Sequence, residues 1–162
     1  MNRMLTILVF LTLLCSPAFG GDFKKMSLDD AAILGTTIQT DLKIKTEGLG
    51  SIRITTLSPT TVCLGEVDSP DVENARLVYS AKVRTDLEGA AYLEMWAHLG
   101  TGQYFSRGMN DTVEGKSGWK SIRTPFIFQK GQRPEKIILN LVINGRGTAW
   151  IDDVVLSKEP LK

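Results

Sequence analysis

The heptapeptide Tyr92-Leu93-Glu94-Met95-Trp96-Ala97-His98 sets two aromatic rings, a carboxylate and an imidazole at alternate positions. Extended, it turns Leu93, Met95 and Ala97 to one side and Tyr92, Glu94, Trp96 and His98 to the other. Such a set has the chemistry of a sugar site. Aromatic faces stack on the C–H surface of a pyranose, while a carboxylate and an imidazole hydrogen-bond its hydroxyls. Arg84 and Lys82 on the preceding strand, and Asn140 and Asn144 on a later one, are candidates to join that face. The competing reading is an ordinary amphipathic surface whose rings are covered by a loop or by the N-terminal segment. Glu94 and His98 are also an acid–base pair in type, so a small hydrolase using these two residues is a further alternative. Neither a partnered nucleophile nor a second carboxylate in a recognisable motif accompanies them. Zinc-ligand spacing, phosphate loops, nucleophile elbows and dinucleotide fingerprints are absent from the sequence.

Three further groups call for explanation. Asp152 and Asp153 interrupt an apolar run, and two adjacent carboxylates are buried only at high cost unless they are paired or bind a metal. Tyr104, Phe105 and Arg107 lie in a hairpin at the rim, where binding residues gather; the alternative is that half of these side chains serve the core. Cys63 is flanked by Val62 and Leu64, with neither histidine nor cysteine nearby, and reads as a buried structural residue.

The elements that must position these groups are strands. Short runs rich in Ile, Thr and Val at 41–46, 51–56 and 61–67 are followed by longer ones at 75–85, 90–99, 103–107, 119–128, 136–144 and 148–156. The breaks between them carry Gly, Pro, Asn and Asp, as turns require. Residues 109–118 read as a long polar loop. Leu77, Tyr79, Ala81 and Val83 alternate with Arg76, Ser80, Lys82 and Arg84, and Ile137, Leu139, Leu141 and Ile143 face away from Asn140 and Asn144. One face of each strand is therefore core. About nine strands without intervening helices imply an all-β antiparallel sandwich or barrel. Residues 27–35, from Ser27 as N-cap to Gly35 as stop, read as a short N-terminal helix.

At the start of the chain, Arg3 precedes an uncharged apolar run over residues 5–15 and then the small-residue stretch Ser16-Pro17-Ala18-Phe19-Gly20-Gly21. This is the pattern of a signal peptide cleaved after Gly20, so the expected location is secreted or periplasmic. The run is too short to span a bilayer, which takes about 20 apolar residues. No membrane insertion is expected after cleavage. Removing residues 1–20 takes Arg3 from the 19 basic residues and leaves 18 against 18 acidic ones. A neutral chain has no electrostatic footprint for nucleic acid. Cys15 departs with the leader, leaving Cys63 alone, so the fold is held without a disulfide. The expected organisation is a signal peptide over 1–20, a segment with a short helix over 21–39 and one sandwich domain over 40–162.

The C-terminal half is more specific than a generic sandwich. Gly118-Trp119 opens a strand ending in Phe126 and Phe128; Ile137-Ile138-Leu139-Asn140-Leu141 then leads through Asn144-Gly145-Arg146-Gly147 to Thr148-Ala149-Trp150-Ile151-Asp152-Asp153-Val154-Val155-Leu156. This resembles the ending of jelly-roll carbohydrate-binding modules of the galactose-binding-domain-like type, and residues 47–54 are similar to the turn and strand near their start. The resemblance covers about residues 41–158 and implies a jelly roll. Its functional implication is an exported, non-catalytic module with a glycan or polysaccharide as partner, requiring no cofactor. An envelope protein docked on the same face is the alternative partner. It also implies that the Asp152-Asp153 position supplies a ligand to a structural calcium, with Asp22, Asp41 and Glu47 as partners in that region. Hydrogen bonds from this pair to turn amides, or salt bridges to Arg53 or Lys45, are the other way to satisfy it.

Overall fold

The structure, a computed structural model, describes residues 36–161. The expected signal peptide, the short helix over 27–35 and Asp22 lie outside the described residues. Eight strands follow in chain order: β1 (Thr36–Asp41), β2 (Ser51–Thr56), β3 (Thr60–Asp68), β4 (Ala75–Leu99), β5 (Gly102–Arg107), β6 (Val113–Lys116), β7 (Lys120–Phe128) and β8 (Lys136–Pro160). Every pairing is antiparallel.

Two long strands organise the rest. β4 and β8, of 25 residues each, pair along their whole length and pass through both layers of the sandwich. In the first layer β2 pairs with the 147–151 part of β8, β1 lies outside β2, and β7 pairs with the 75–83 part of β4. In the second layer β3 pairs with the 136–143 part of β8 and β5 with the 94–99 part of β4. The short β6 joins the two, opposite Asp86, Ala90 and Ala91.

The inward set keeps one parity along β4 from Leu77 through Tyr79, Ala81, Val83, Leu87, Ala91, Leu93 and Met95 to Ala97. Ile137, Leu139, Leu141, Ile143, Ala149 and Ile151 of β8 do the same, and together they form one cluster. A single hydrogen-bonded sheet whose inward side chains all meet must fold over on itself. Each large aliphatic side chain buried in this way contributes about 1.5–3 kcal/mol.

The expected glycine turn at 144–147 is instead the place where β8 changes layer without breaking. Glu88 pairs with Arg146 and Gly89 with Gly145, so both strands bend together. Gly89 has φ 137° and Gly145 φ 154°. A Cβ at Gly89 would collide with the Asn144 carbonyl oxygen, and one at Gly145 with that of Glu88. The two backbones approach more closely here than side chains allow, and glycine is the residue that permits it. The runs expected as separate strands at 75–85 and 90–99, and at 136–144 and 148–156, are thus two strands rather than four.

Two local expectations also give way. Residues 42–46 are mostly bend rather than strand because the Asp41 carboxylate accepts from the Lys43 and Ile44 amides at 2.9 Å each, closing an Asx turn that ends the strand. β1 pairs Thr36 with Thr56 and Asp41 with Ser51. Within the expected polar loop at 109–118, Val113 is fully buried and anchors β6; a single apolar residue in four gives no periodicity to read.

Candidate functional site

The outward face of the second layer carries the candidate site. On β4, Tyr92, Trp96 and His98 are half-buried and point away from the core, while Glu94 between them is only 4% exposed. Register places Arg107 of β5 and Asn140 of β8 on either side of Glu94, and Phe105 and Ile138 on either side of Trp96. His98 stands between Gln103 and Lys136, and Tyr92 opposite Val142. The structure therefore brings together Tyr92, Glu94, Trp96, His98 and Asn140, as the alternation in the sequence requires.

Glu94 is the hub. Its Oε1 accepts the Trp96 indole N–H at 2.6 Å and the Asn140 side-chain amide at 3.3 Å; its Oε2 accepts Arg107 Nε at 2.6 Å. Burial raises the carboxyl's pKa, but the hydrogen bonds from Arg107, Trp96 and Asn140 together outweigh burial and hold it below the usual carboxylate range. A carboxylate so occupied has little capacity left for a sugar hydroxyl. It fixes the indole, the amide and the guanidinium around it.

The aromatic surface extends beyond β4. The Trp96 and Phe105 rings lie 5.2 Å apart and tilted by 46°, and the Arg107 guanidinium sits 4.5 Å over Phe105. Phe105 is 51% exposed, whereas Tyr104, paired with the inward-facing Ala97, lies on the other face of β5. Phe105 and Arg107 thus stand at the centre of the site, although the sequence ranked them below the β4 residues. The signal was there in the alternation Gln103, Phe105, Arg107, but a short strand leaves open which parity faces outward until its register against β4 is known.

Arg84 does not join this group. It lies ten positions along β4 from Glu94, beyond the Gly89 bend, and its guanidinium rests 5.6 Å from the Trp150 ring on the first layer. The assumption that failed was that 75–85 and 90–99 lie side by side; they are successive parts of one strand. Glu94 and His98 do not form an acid–base pair either. Four residues of extended chain separate them by about 13 Å, and a carboxyl held low is a poor proton donor.

Asp152 and Asp153 occupy a β-bulge. Asp153 has φ 51°, and the pairing slips between Ser80 and Lys82, after which Val154 and Leu156 take over the inward parity. Asp152 Oδ2 accepts the Thr46 amide at 2.6 Å, the Thr46 hydroxyl at 2.9 Å and the Glu47 amide at 3.2 Å. Asp153 Oδ2 meets Lys82 Nζ at 3.1 Å, and the same ammonium meets Glu47 Oε1 at 3.0 Å. Asp41, the other acidic candidate, holds the Lys43 and Ile44 amides and the Trp150 indole N–H. Among the described residues the carboxylates at the bulge are already engaged: a lysine ammonium sits between Glu47 and Asp153, and the calcium that the resemblance implied would have to displace it. The partners of the pair are turn amides and Lys82, rather than Arg53 or Lys45.

Cys63 is half-buried on β3, opposite Asn140, and its thiol approaches the Gly65 carbonyl at 3.8 Å. Burial pushes the thiol's pKa up, which makes it a weak nucleophile.

Comparison of the coordinates with solved structures settles the architecture. The chain is similar to the CBM22-1-GH10 modules of Clostridium thermocellum endo-1,4-beta-D-xylanase 10B complexed with xylohexaose, with TM-score 0.58 and 13% identity over 77% of this chain and 25% of that one. The CBM22-1 xylan-binding domain of Paenibacillus barcinonensis Xyn10C superposes with TM-score 0.55 and 12% identity over 79% of this chain and 84% of that domain. The chain has the β-sandwich fold of carbohydrate-binding modules. The same module fold underlies part of the enzymatically active domain of a bacteriophage CBA120 tailspike, at TM-score 0.57 and 7% identity over 76% of this chain and 18% of that one. The chain thus spans about a quarter or less of the xylanase and tailspike chains, but most of the isolated module. No protein-family model matches this sequence, and no curated protein matches it.

Proposed function

We propose that the protein is an exported, non-catalytic binding module that holds a polysaccharide across the outward face of its second layer. Trp96 and Phe105 form a tilted aromatic platform for successive sugar rings, with Tyr92 extending it along β4. The free guanidinium nitrogens of Arg107, the carbonyl of Asn140 and the imidazole of His98 supply hydrogen bonds to hydroxyls. Glu94 acts through the three side chains it holds. The observation that carries this reading is the Glu94 hub. It rigidifies an indole, an amide and a guanidinium on an open sheet face beside a half-exposed phenyl ring, and such fixing before binding reduces the entropy lost when a ligand docks.

The structural neighbours support a β-1,4-linked xylan as the first ligand to try, because two of them are described by their complexes with or binding to xylan chains. Isothermal titration with xylohexaose is the direct test, followed by a panel of plant and bacterial polysaccharides in affinity electrophoresis. Trp96→Ala should abolish retention while leaving the fold intact. Equal retention of the variant and the parent would overturn this assignment of the site. Capture of a stoichiometric envelope protein, with no glycan retained, would replace the polysaccharide by a protein partner on the same face.

A further inference from the structure

The first layer carries a second unusual arrangement, on the outward face opposite to the proposed polysaccharide site. Arg53 of β2, Trp150 of β8 and Arg84 of β4 are directly paired neighbours in one row. The two guanidiniums lie 5.8 and 5.6 Å from the indole, one from each flank. Trp150 is 8% exposed, and its N–H donates to Asp41 Oδ2 at 3.0 Å, so the ring is fixed at the centre of the row.

The charges in this row are only partly balanced: the Asp41 carboxylate that holds the indole feels Arg53, but no carboxylate pairs directly with either guanidinium. Arg76, further down β4, pairs with Glu159, and Arg107 pairs with Glu94. Among the described residues neither Arg53 nor Arg84 forms an ion pair. Arg53 Nε is buried with no hydrogen-bond partner. A guanidinium carries five donors in a planar fork, and leaving them unmatched beside a buried ring is costly unless something else accepts them.

A cleft of about 280 Å³ opens beside this row, walled by Arg84, Trp150, Lys116, Ser117, Gly118 and Asp86. Its floor is ordered: the Ser117 hydroxyl lies 3.1 Å from that of Thr85, which donates to the Gly115 carbonyl at 2.8 Å. Gly118 has open space where a Cβ would stand. Asp86 is the one carboxylate in the wall, and it lies 3.8 Å from Lys116, both side chains being largely exposed. Arg84 therefore keeps its charge unpaired at one end of the cleft, while behind the indole Arg53 lies within Coulombic reach of the Asp41 carboxylate.

We propose that this cleft is a second binding site, specific for a sugar residue bearing a carboxylate, a uronic acid at a chain end or on a side branch. Its carboxylate meets the Arg84 fork in the bidentate geometry that favours arginine, the ring lies against the Trp150 edge, and hydroxyls meet Ser117 and Lys116. The cleft is compact and suits a single charged residue, whereas the second-layer face is long and suits a neutral chain. Two sites on opposite faces would let one module hold two strands, or the backbone and a charged decoration of neighbouring ones.

The test is isothermal titration of the full chain with trigalacturonate, in parallel with xylohexaose and with a sulfated trisaccharide of the same length. Expected is saturable binding of trigalacturonate that weakens with added salt, falls at least about tenfold in Arg84→Gln and is unchanged in Trp96→Ala. Arg84→Lys, which keeps the charge and loses the fork, should bind more weakly than the parent. Thermal unfolding of each variant checks that the fold is retained. Four results would overturn the proposal: no trigalacturonate binding, equal binding by Arg84→Gln, loss in Trp96→Ala, or tighter binding of the sulfated sugar. Because the Trp96→Ala and Arg84→Gln readouts are separate, failure here leaves the second-layer site standing or falling by its own titration.

Discussion

The indole N–H of Trp96 donates to Oε1 of Glu94, two residues earlier on the same face of the same strand, at 2.6 Å. Neighbours on one strand face are about 6.6 Å apart along the chain, so both side chains lean toward each other. Asn140 and Arg107 reach the same carboxylate from the adjacent strands. One buried charge thus sets the rotamers of residues on three strands, and what Glu94 does for them is directly measurable.

Glu94→Gln keeps the shape and removes the charge. The amide presents one carbonyl oxygen in place of two acceptor oxygens and turns an NH₂ toward either Arg107 or Trp96, so the variant should lose about 1–3 kcal/mol of stability. The pH dependence separates charge from packing. The Glu94 carboxyl lies below its ordinary 4.5 in the folded protein, so its stabilisation is fully present above the unfolded value and is lost as pH falls through the folded one. Urea denaturation at a series of pH values from 7 downward should show the gap between parent and variant narrowing once pH falls below 4.5. A gap that does not narrow at any acid pH at which the parent stays folded would mean that Glu94 stabilises by packing alone. Asp41 and Asp152 also titrate low in the fold, which is why the comparison with the variant is needed.

Trp96 and Phe105 should separate affinity from stability. Phe105 is half-exposed, and Phe105→Ala removes one ring of the platform with less than about 1.5 kcal/mol of stability from the aromatic pair. Its affinity for the polysaccharide should fall by about an order of magnitude, since stacking contributes about 1 kcal/mol or more. Trp96→Ala removes the other ring and also strips a donor from Glu94, so it should lose both affinity and stability. If Phe105→Ala binds as tightly as the parent, the ligand lies elsewhere on the face.

How the sequence related to these features follows from which interactions are local. Alternation along β4 identified Tyr92, Glu94, Trp96 and His98 as one face, because strand geometry alone decides that. The inward sets from Leu77 to Val83 and from Ile137 to Ile143 were legible for the same reason. Placing Arg84 beside Glu94 failed because a glycine pair that ends strands elsewhere here bends two strands in step, and that depends on contact between Gly89 and Gly145, 56 positions apart. The importance of Phe105 and Arg107 likewise rests on register against β4, which a six-residue strand does not encode by itself. Asp152 and Asp153 were marked as needing partners, but the partners, Thr46 and Lys82, come from a turn and a distant strand.

That glycine pair can be tested on its own. Gly89→Ala would set a methyl group against the Asn144 carbonyl and force a side chain into φ 137°. Both effects oppose folding, and the variant should lose about 2–3 kcal/mol, with a matching drop in Tm. Gly131→Ala, at a turn where φ is 85° but no atom lies near the added Cβ, carries the backbone penalty without the collision. It should therefore be the milder of the two by thermal unfolding, and equal losses would show that the close approach of β4 and β8 is unimportant.

Lys82 neutralises two carboxylates at the bulge. Its ammonium bridges Glu47 and Asp153, tying the 42–49 turn to β8 where Asp152 has already captured the Thr46 and Glu47 amides. Hydrogen bonds to Glu47 and Asp153 raise the lysine's pKa, so the bridge is intact at neutral pH and is lost only as pH climbs through that raised value. Thermal unfolding of the parent should be indifferent to EDTA and to added calcium. Lys82→Met keeps the stem over the sheet and leaves Glu47 and Asp153 without their shared counter-charge, so its Tm should be lower than the parent's. Lys82→Arg, which keeps the positive charge, should lose less Tm than Lys82→Met. A parent whose Tm falls in EDTA would show that a cation is held there together with the lysine, and the account of the bulge given above would have to be replaced.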